Sequence, residues 1–201
     1  MTEKIMNNSK KYQDIRQDFW KKYWNAALPF DAYLQTGKES HQRKWQDTYD
    51  RLKLTEEQKN LAATFVRNVK VIVLTGIWCG DCSRQGPVIQ KISEANSCLE
   101  VRFIDNNDNP ELQDELRING AKKVPVVLFL NEDFFELGRF GDRHLAAYRT
   151  KLSKEAGVAC STGLAIGDDV LAQETVDWMD QFERMHAIVR LSPFYREKYG
   201  D

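Results

Sequence analysis

Two cysteines, Cys79 and Cys82, stand three positions apart in Gly76-Ile77-Trp78-Cys79-Gly80-Asp81-Cys82, a spacing able to do redox chemistry. The apolar run Val71-Ile72-Val73-Leu74 comes just before them, and the segment from Ser83 to Glu94 reads as a helix. A strand that delivers a dithiol to a helix N-terminus sets the first sulfur against unpaired backbone N–H groups. The positive end of the helix dipole lies there too, and both favour a thiolate over a thiol. Only the thiolate attacks disulfides, so the placement predicts that Cys79 is a nucleophile near neutral pH. Cys82, one turn on along the same face, can reach back to it. The same residues also fit a pair of buried cysteines or half of a zinc site. Zinc needs about four ligands, and this motif supplies two of them. Cys98 and Cys160 are isolated in the chain and read as small buried or half-buried side chains. His41, His144 and His186 lack ligand spacing and read as surface or packing histidines. The preceding Trp78 and the strand–helix context favour redox.

Elements on both sides must position that dithiol. Upstream, Tyr12, Ile15, Phe19, Tyr23, Trp24 and Ala27 recur at helical spacing and predict one amphipathic helix to Leu28, closed by Pro29. A segment from Phe30 to Thr36, a helix over 39–52 and a helix from Glu56 to about Asn68 follow. The last of these opens on a capping box formed by Thr55 and Gln58. Lys70–Thr75 is apolar on both faces, which suits a buried parallel strand. Pro87 should kink the helix after the dithiol, because it removes a backbone hydrogen bond. A second strand is expected over 99–104 and a helix over 111–118, completing a β-α-β-α pattern. Val124-Pro125-Val126-Val127-Leu128-Phe129-Leu130 reads as a strand whose proline belongs at its first position, where an X–Pro bond can be cis. A hairpin over 134–140 should lead to a helix capped by Asp142 and running to about Ala156. A loop over 157–167 and a helix capped by Asp168 and running to about Leu191 come next, and a polar tail follows Ser192-Pro193.

The chain has 201 residues, enough for one substantial core with appended elements. Its 29 Lys and Arg residues nearly balance 30 Asp and Glu, so no basic field draws it to nucleic acid or an anionic membrane. The first residues carry no apolar signal-peptide core, and no run approaches the roughly 18 apolar residues of a membrane span. Four cysteines do not make a disulfide scaffold. The expected location is therefore a reducing cytoplasm, where a Cys-x-x-Cys pair is catalytic more often than structural. No glycine-rich phosphate loop or Ser–His–Asp order is present, and Asp105–Asp108 lacks the positions of a calcium loop.

The central segment, about Val69 to Ala156, resembles the thioredoxin family. The resemblance rests on Trp78-Cys79-x-x-Cys82 after a core strand and on Pro87, five residues beyond the second cysteine. It rests also on Val124-Pro125, which matches the cis-proline motif opposite the dithiol, and on Gly141, sixteen residues later. The motif Gly-Ile-Trp-Cys-Gly-Asp-Cys with long helical flanks looks like a bacterial thioredoxin-like branch. The resemblance implies an α/β thioredoxin-like fold, a central mixed sheet flanked by helices, over 69–156. An N-terminal helical extension (1–68) packs on that core, and a C-terminal loop and long helix (157–201) follow it.

It also implies a mechanism. The Cys79 thiolate attacks a substrate disulfide, Cys82 resolves the mixed disulfide, and a thioredoxin reductase or equivalent donor reduces the oxidised pair. No cofactor is implied beyond that disulfide. Pro125 presents the Val124 backbone to an extended protein substrate, and Trp78 and Gly141 form the rim of the groove. An iron–sulfur cluster bridging two chains through the dithiol is obstructed by Pro125.

Three features depart from the family. Val73 replaces a buried acid six residues before the first cysteine, and Val101 stands where its lysine partner is expected. Asp81 lies between the cysteines, where its carboxylate opposes thiolate formation and should raise the Cys79 pKa; it could also accept a proton. The helical flanks are the third. The expected function is a cytoplasmic protein disulfide reductase. The alternatives are a non-catalytic binding module, or an isomerase or oxidase that differs only in redox potential.

Overall fold

The computed structural model describes residues 11–155 and 169–200. At its centre lies β1 (Val69–Thr75), buried along almost its whole length. Successive strand side chains point to opposite faces. Val71 and Val73 therefore enter one hydrophobic cluster, while Ile72 and Leu74 enter another. On one side β1 pairs in parallel with β2 (Leu99–Asp105). On the other it pairs antiparallel with β3 (Val126–Leu130), which pairs antiparallel with β4 (Glu136–Gly141). The order β2-β1-β3-β4 is the mixed sheet expected from the sequence. Pro125 lies one residue ahead of β3 rather than at its first position, outside the ladder to which it cannot donate.

Helices cover both faces, which is why β1 can be apolar throughout. One layer contains α5 (Gly80–Glu94), α2 (Phe30–Leu34), α3 (Glu39–Arg51), α4 (Glu56–Ala63) and α8 (Val170–Leu191). The other contains α1 (Gln17–Ala26) and α6 (Pro110–Glu115). The N-terminal helices thus split between the two layers. The link between them closes the sheet edge: Leu28 and Phe103 exchange backbone hydrogen bonds of 2.8 and 2.7 Å, so the outer side of β2 is partly capped.

Several boundaries differ from the sequence reading. The first helix starts at Gln17, because the Asp14 carboxylate accepts from the Arg16 and Glu136 backbone N–H groups and holds a turn there. Ile15, expected on its buried stripe, is 91% exposed, and Trp20 fills the core instead. The capping box is present, with Gln58 N–H donating to Thr55 Oγ1 and Thr55 N–H to Gln58 Oε1, yet α4 ends at Ala63. Asp142 does not cap α7 (Leu145–Glu155). Its carboxylate instead accepts from the Tyr148 hydroxyl and pairs with Lys123. The cap of α8 is Asp169, which accepts from Ala172 N–H; Asp168, Cys160 and the expected loop lie outside the described residues. The expected polar tail is a further helix, α9 (Pro193–Tyr199), anchored by buried Phe194 and Tyr195.

Packing between α3 and α5 runs through one glycine. Trp45 is fully buried, donates its indole N–H to Ile77 O at 3.0 Å and lies flat over Gly86. A Cβ at Gly86 would fall 2.1 Å from the Trp45 ring. Gly86→Ala should therefore cost about 1–3 kcal/mol by overpacking, read as a lower denaturant midpoint with an unchanged slope.

Candidate functional site

The strand–helix junction places the two sulfurs in different surroundings. Cys79 is the N-cap residue of α5, with extended backbone, and is half-buried; Cys82 lies one turn inside and is fully buried. Both are free thiols. A hydrogen bond from the Cys82 thiol and the N–H groups of Cys82 and Asp81 draw the Cys79 pKa down to about 6, against the opposing effect of partial burial. Burial pushes the Cys82 thiol well above its ordinary range, and the neighbouring Cys79 adds to this. The first sulfur is thus a thiolate at pH 7 and the second a protonated thiol.

Across from them, Cys79 Sγ lies 3.9 Å from Val124 O. The Val124–Pro125 peptide is cis, as is Gly141–Asp142. Gly141 pairs with Val126, and a Cβ there would meet Pro125 O at 2.6 Å, so β4 can approach the proline only because this residue has no side chain. Trp78 is 54% exposed and folds over Gly76, beside the thiols. Cys79, Val124, Pro125 and Gly141 thus lie together, while Trp78 borders a cleft with Tyr33, Asp105 and Asp108.

Asp81 belongs to a different network. Its carboxylate pairs with Arg84 at 2.8 Å and with Arg143 at 2.6 Å. Arg84 in turn grips Glu174 of α8 with two bonds of 2.6 and 2.9 Å, and the Glu174 side chain is completely buried. Beside this pair, Gln85 donates to Asp142 O and accepts from the Trp178 indole N–H. The α8 helix therefore holds the first turns of α5. Arg84, three residues after Asp81, was readable as a helical neighbour. Arg143 and Glu174 were not, since Asp81–Arg143 and Arg84–Glu174 join residues far apart in the chain.

Two cations compensate the Asp81 charge, which acts on Cys79 only as the smallest of its influences and in the raising direction. Alkylation of Cys79 should titrate with a midpoint near 6, and Asp81→Asn should move that midpoint down, since it removes a negative charge that raises the Cys79 pKa. An unchanged midpoint in stopped-flow iodoacetamide kinetics would remove Asp81 from any tuning role.

The position of the expected buried acid is Val73, fully enclosed in β1. Its register partner on β2 is Phe103 rather than Val101, which faces Val71. Both are apolar, so no carboxylate or lysine lies behind Cys82 at these positions. His144 is buried, stacked on Phe140 at 4.4 Å, and held down to about 4 by that burial, so it is neutral at pH 7. His186 accepts from the Val66 and Arg67 backbone N–H groups. Among the described residues no group of three or more His, Cys, Asp or Glu side chains could hold a metal ion, and no helix is long and apolar enough to cross a membrane.

Comparison with known proteins agrees with this arrangement. The family model described as Thioredoxin matches residues 27–149. A Streptomyces coelicolor protein named "Putative thioredoxin 2" is 32% identical over 82 residues, covering 40% of this chain. The match spans 58% of that relative's length. A crystal structure of a Pseudomonas aeruginosa protein of unknown function superposes with a TM-score of 0.63 at 20% identity, covering 80% of this chain and 94% of that one. An HIV epitope scaffold gives a TM-score of 0.63 at 19% identity, over 81% of this chain and 96% of its own. These two structures share the fold well beyond the family segment, including part of the helical flanks.

Proposed function

This chain belongs to the thioredoxin family, and from that premise we propose that it is a protein thiol–disulfide oxidoreductase working as a disulfide reductase. The observation that carries the reading is the split between the two sulfurs: a half-buried Cys79 held near 6, and a buried Cys82 held high. The Cys79 thiolate attacks one sulfur of a substrate disulfide, forms a mixed disulfide and releases the other sulfur as a thiolate. Cys82 loses its proton and attacks Cys79 Sγ, which closes the Cys79–Cys82 disulfide and frees the second substrate thiol. Two electrons pass to the substrate, and a thioredoxin reductase or equivalent donor returns them.

The groove is assigned to an extended segment of the substrate protein. Val124 offers its backbone beside Pro125, and Trp78 and Gly141 border the approach. Reduction is the direction favoured by chemistry, because no cation stands between the cysteines and the residue that does, Asp81, opposes thiolate formation. A strongly oxidising pair needs its reduced form stabilised far more than this. A reducing cytoplasm is the compartment in which such a pair works.

The test is the equilibrium reduction potential of the Cys79–Cys82 pair, by thiol trapping and mass spectrometry across dithiol buffers. A value near about −270 mV is expected. One near about −180 mV or higher would reassign the protein as an isomerase or oxidase. Failure to form the intramolecular disulfide at any poise would sink the catalytic reading and leave a binding module.

A further inference from the structure

The cleft bordered by Trp78 measures about 430 Å³, and neither step of the dithiol exchange uses it. Two kinds of group line it. Leu28, Ile77 and Trp78 are apolar, whereas Asp105 and Asp108 bring two carboxylates, and among the described residues no lysine or arginine takes part. Trp78 and Leu28 both stay exposed there despite their size, and backbone hydrogen bonds to Phe103 hold Leu28 in place. The acidic side is also fixed. Asp105 Oδ1 accepts from the Asn107 N–H at 2.8 Å, and Asp105 O accepts from the Asn109 side chain at 2.8 Å, which shapes the turn that carries Asp108. Among the described residues neither of these carboxylates is in an ion pair, whereas Asp81, Asp114, Asp133 and Asp142 all are. The cleft thus combines exposed apolar surface with negative charge that nothing described neutralises.

We propose that this cleft is a subsite for a lysine or arginine side chain of the substrate protein, close in sequence to the cysteine that Cys79 attacks. Such a side chain has the same two-part chemistry. Its aliphatic stem covers Leu28 and Ile77, and its cationic head meets the Trp78 ring and the carboxylates of Asp105 and Asp108. Trp78 directly precedes Cys79, so a substrate residue a few positions from the attacked cysteine spans the gap. The volume lies at the low end of the roughly 300–1,000 Å³ of ligand pockets, which suits a side chain better than a whole cofactor. Charge excludes the other classes. An acidic or phosphorylated side chain would face two carboxylates with no cation to hold it. A purely apolar one would cover those carboxylates without pairing them. A metal ion would lack ligands, since no group of three His, Cys, Asp or Glu forms among the described residues. Leu28 comes from the N-terminal region, so the helical extension helps to read the substrate rather than only packing on the core. Asp105 and Asp108 determine specificity and take no part in the exchange itself.

The proposal rests on the oxidoreductase reading and names a substrate class for it; one experiment separates the two. The reduced full chain, in excess, is mixed with peptide pairs joined by one disulfide and carrying a fluorophore and a quencher. Both cysteines are flanked by lysine, by norleucine (the uncharged stem of lysine) or by glutamate. Each rate of dequenching is divided by the rate with dithiothreitol, which removes the peptide's own reactivity. At low salt the lysine peptide should react about 5- to 10-fold faster than the norleucine peptide, and the glutamate peptide should be slowest. Salt at about 0.5 M should erase most of that spread. Asp105→Asn combined with Asp108→Asn should bring lysine and norleucine within ~2-fold and leave the norleucine rate unchanged. The asparagine amide oxygen still accepts from the Asn107 N–H, so the turn is kept. Asp108→Lys in the Asp105→Asn background should reverse the order and favour glutamate, which damage to the fold cannot imitate. A lysine preference absent from the parent, or retained in the double variant, overturns the subsite and leaves the oxidoreductase standing. So does a norleucine peptide that reacts fastest, which gives the cleft to an apolar side chain, or an equal loss on all three peptides. If the parent reduces none of the peptides while dithiothreitol reduces all of them, the oxidoreductase reading falls and the subsite with it.

Discussion

Cys82→Ser should turn the protein into a trap: it attacks a disulfide, keeps the substrate bound through Cys79 and fails to turn over. The reason lies in the geometry of the second step. Cys82 lies one helical turn inside Cys79 and is the buried thiol that shares a hydrogen bond with it. A serine hydroxyl at the same place cannot displace a sulfur leaving group. Multiple-turnover reduction of a protein disulfide should fall by roughly a thousandfold or more, because the intramolecular exit is replaced by slow attack from external thiols. The first step should survive, although not unchanged. The Cys82 thiol is the largest influence holding Cys79 low, and a hydroxyl is a different donor, so the alkylation midpoint of Cys79 should move from its parent value. The measurement is intact mass after exposure to a model disulfide protein. A covalent adduct on Cys79 is expected, and free protein with full turnover would rule out Cys82 as the resolving residue.

Arg84→Met should be among the most destabilising single changes that leave the apolar core intact. It strands the Glu174 carboxylate, which is completely buried on α8 and paired with Arg84. Breaking such a pair from one side costs about 3–5 kcal/mol, because a buried charge is left uncompensated. The low end applies here, since Arg84 itself is partly exposed. A loss of about 3 kcal/mol should lower the melting temperature by roughly 10 °C in a chain of this size.

The pH dependence gives a signature that loss of packing would not. Burial already raises the Glu174 pKa despite Arg84, and removing the arginine raises it further. A group with a raised folded pKa binds more protons folded than unfolded, so its effect on stability improves as pH falls through the folded value. The variant's deficit should therefore shrink between neutral and mildly acidic pH. Arg84→Met combined with Glu174→Leu should regain most of the loss, since an apolar pair of similar volume needs no desolvation. A deficit that stays constant with pH would show that the pair is not what joins α8 to the redox helix.

The dithiol, the strand before it and the helix after it were legible because each is local. An apolar run, a helix start and a three-residue cysteine spacing all lie within one short stretch, and neighbouring residues decide them. The capping box of α4 was legible for the same reason: Thr55 and Gln58 satisfy each other across one turn. Errors arose where a distant residue outweighed local preference. Ile15 fits a helical stripe, but Asp14 is bound to the β4 backbone at Glu136, which holds the chain in a turn until Gln17. Asp142 is a good helix cap by type, yet Tyr148 and Lys123 claim its carboxylate. The segment after Pro193 is polar in composition, but Phe194 and Tyr195 are buried, and the tail winds into α9.

By itself, then, the sequence determined the reactive motif, the element that carries each cysteine and the order of strands and helices around them. Those depend on spacing and on side-chain pattern, which a linear chain carries in full. Only the tertiary structure decided what surrounds the sulfurs. It brings Tyr33 from α2 to the cleft that Trp78 borders, ties Asp81 to Arg143 and, through Arg84, to Glu174, and sets Phe103 rather than Val101 against Val73. Burial and charge at a thiol are sums over neighbours in space, and most of those neighbours are far away along the chain.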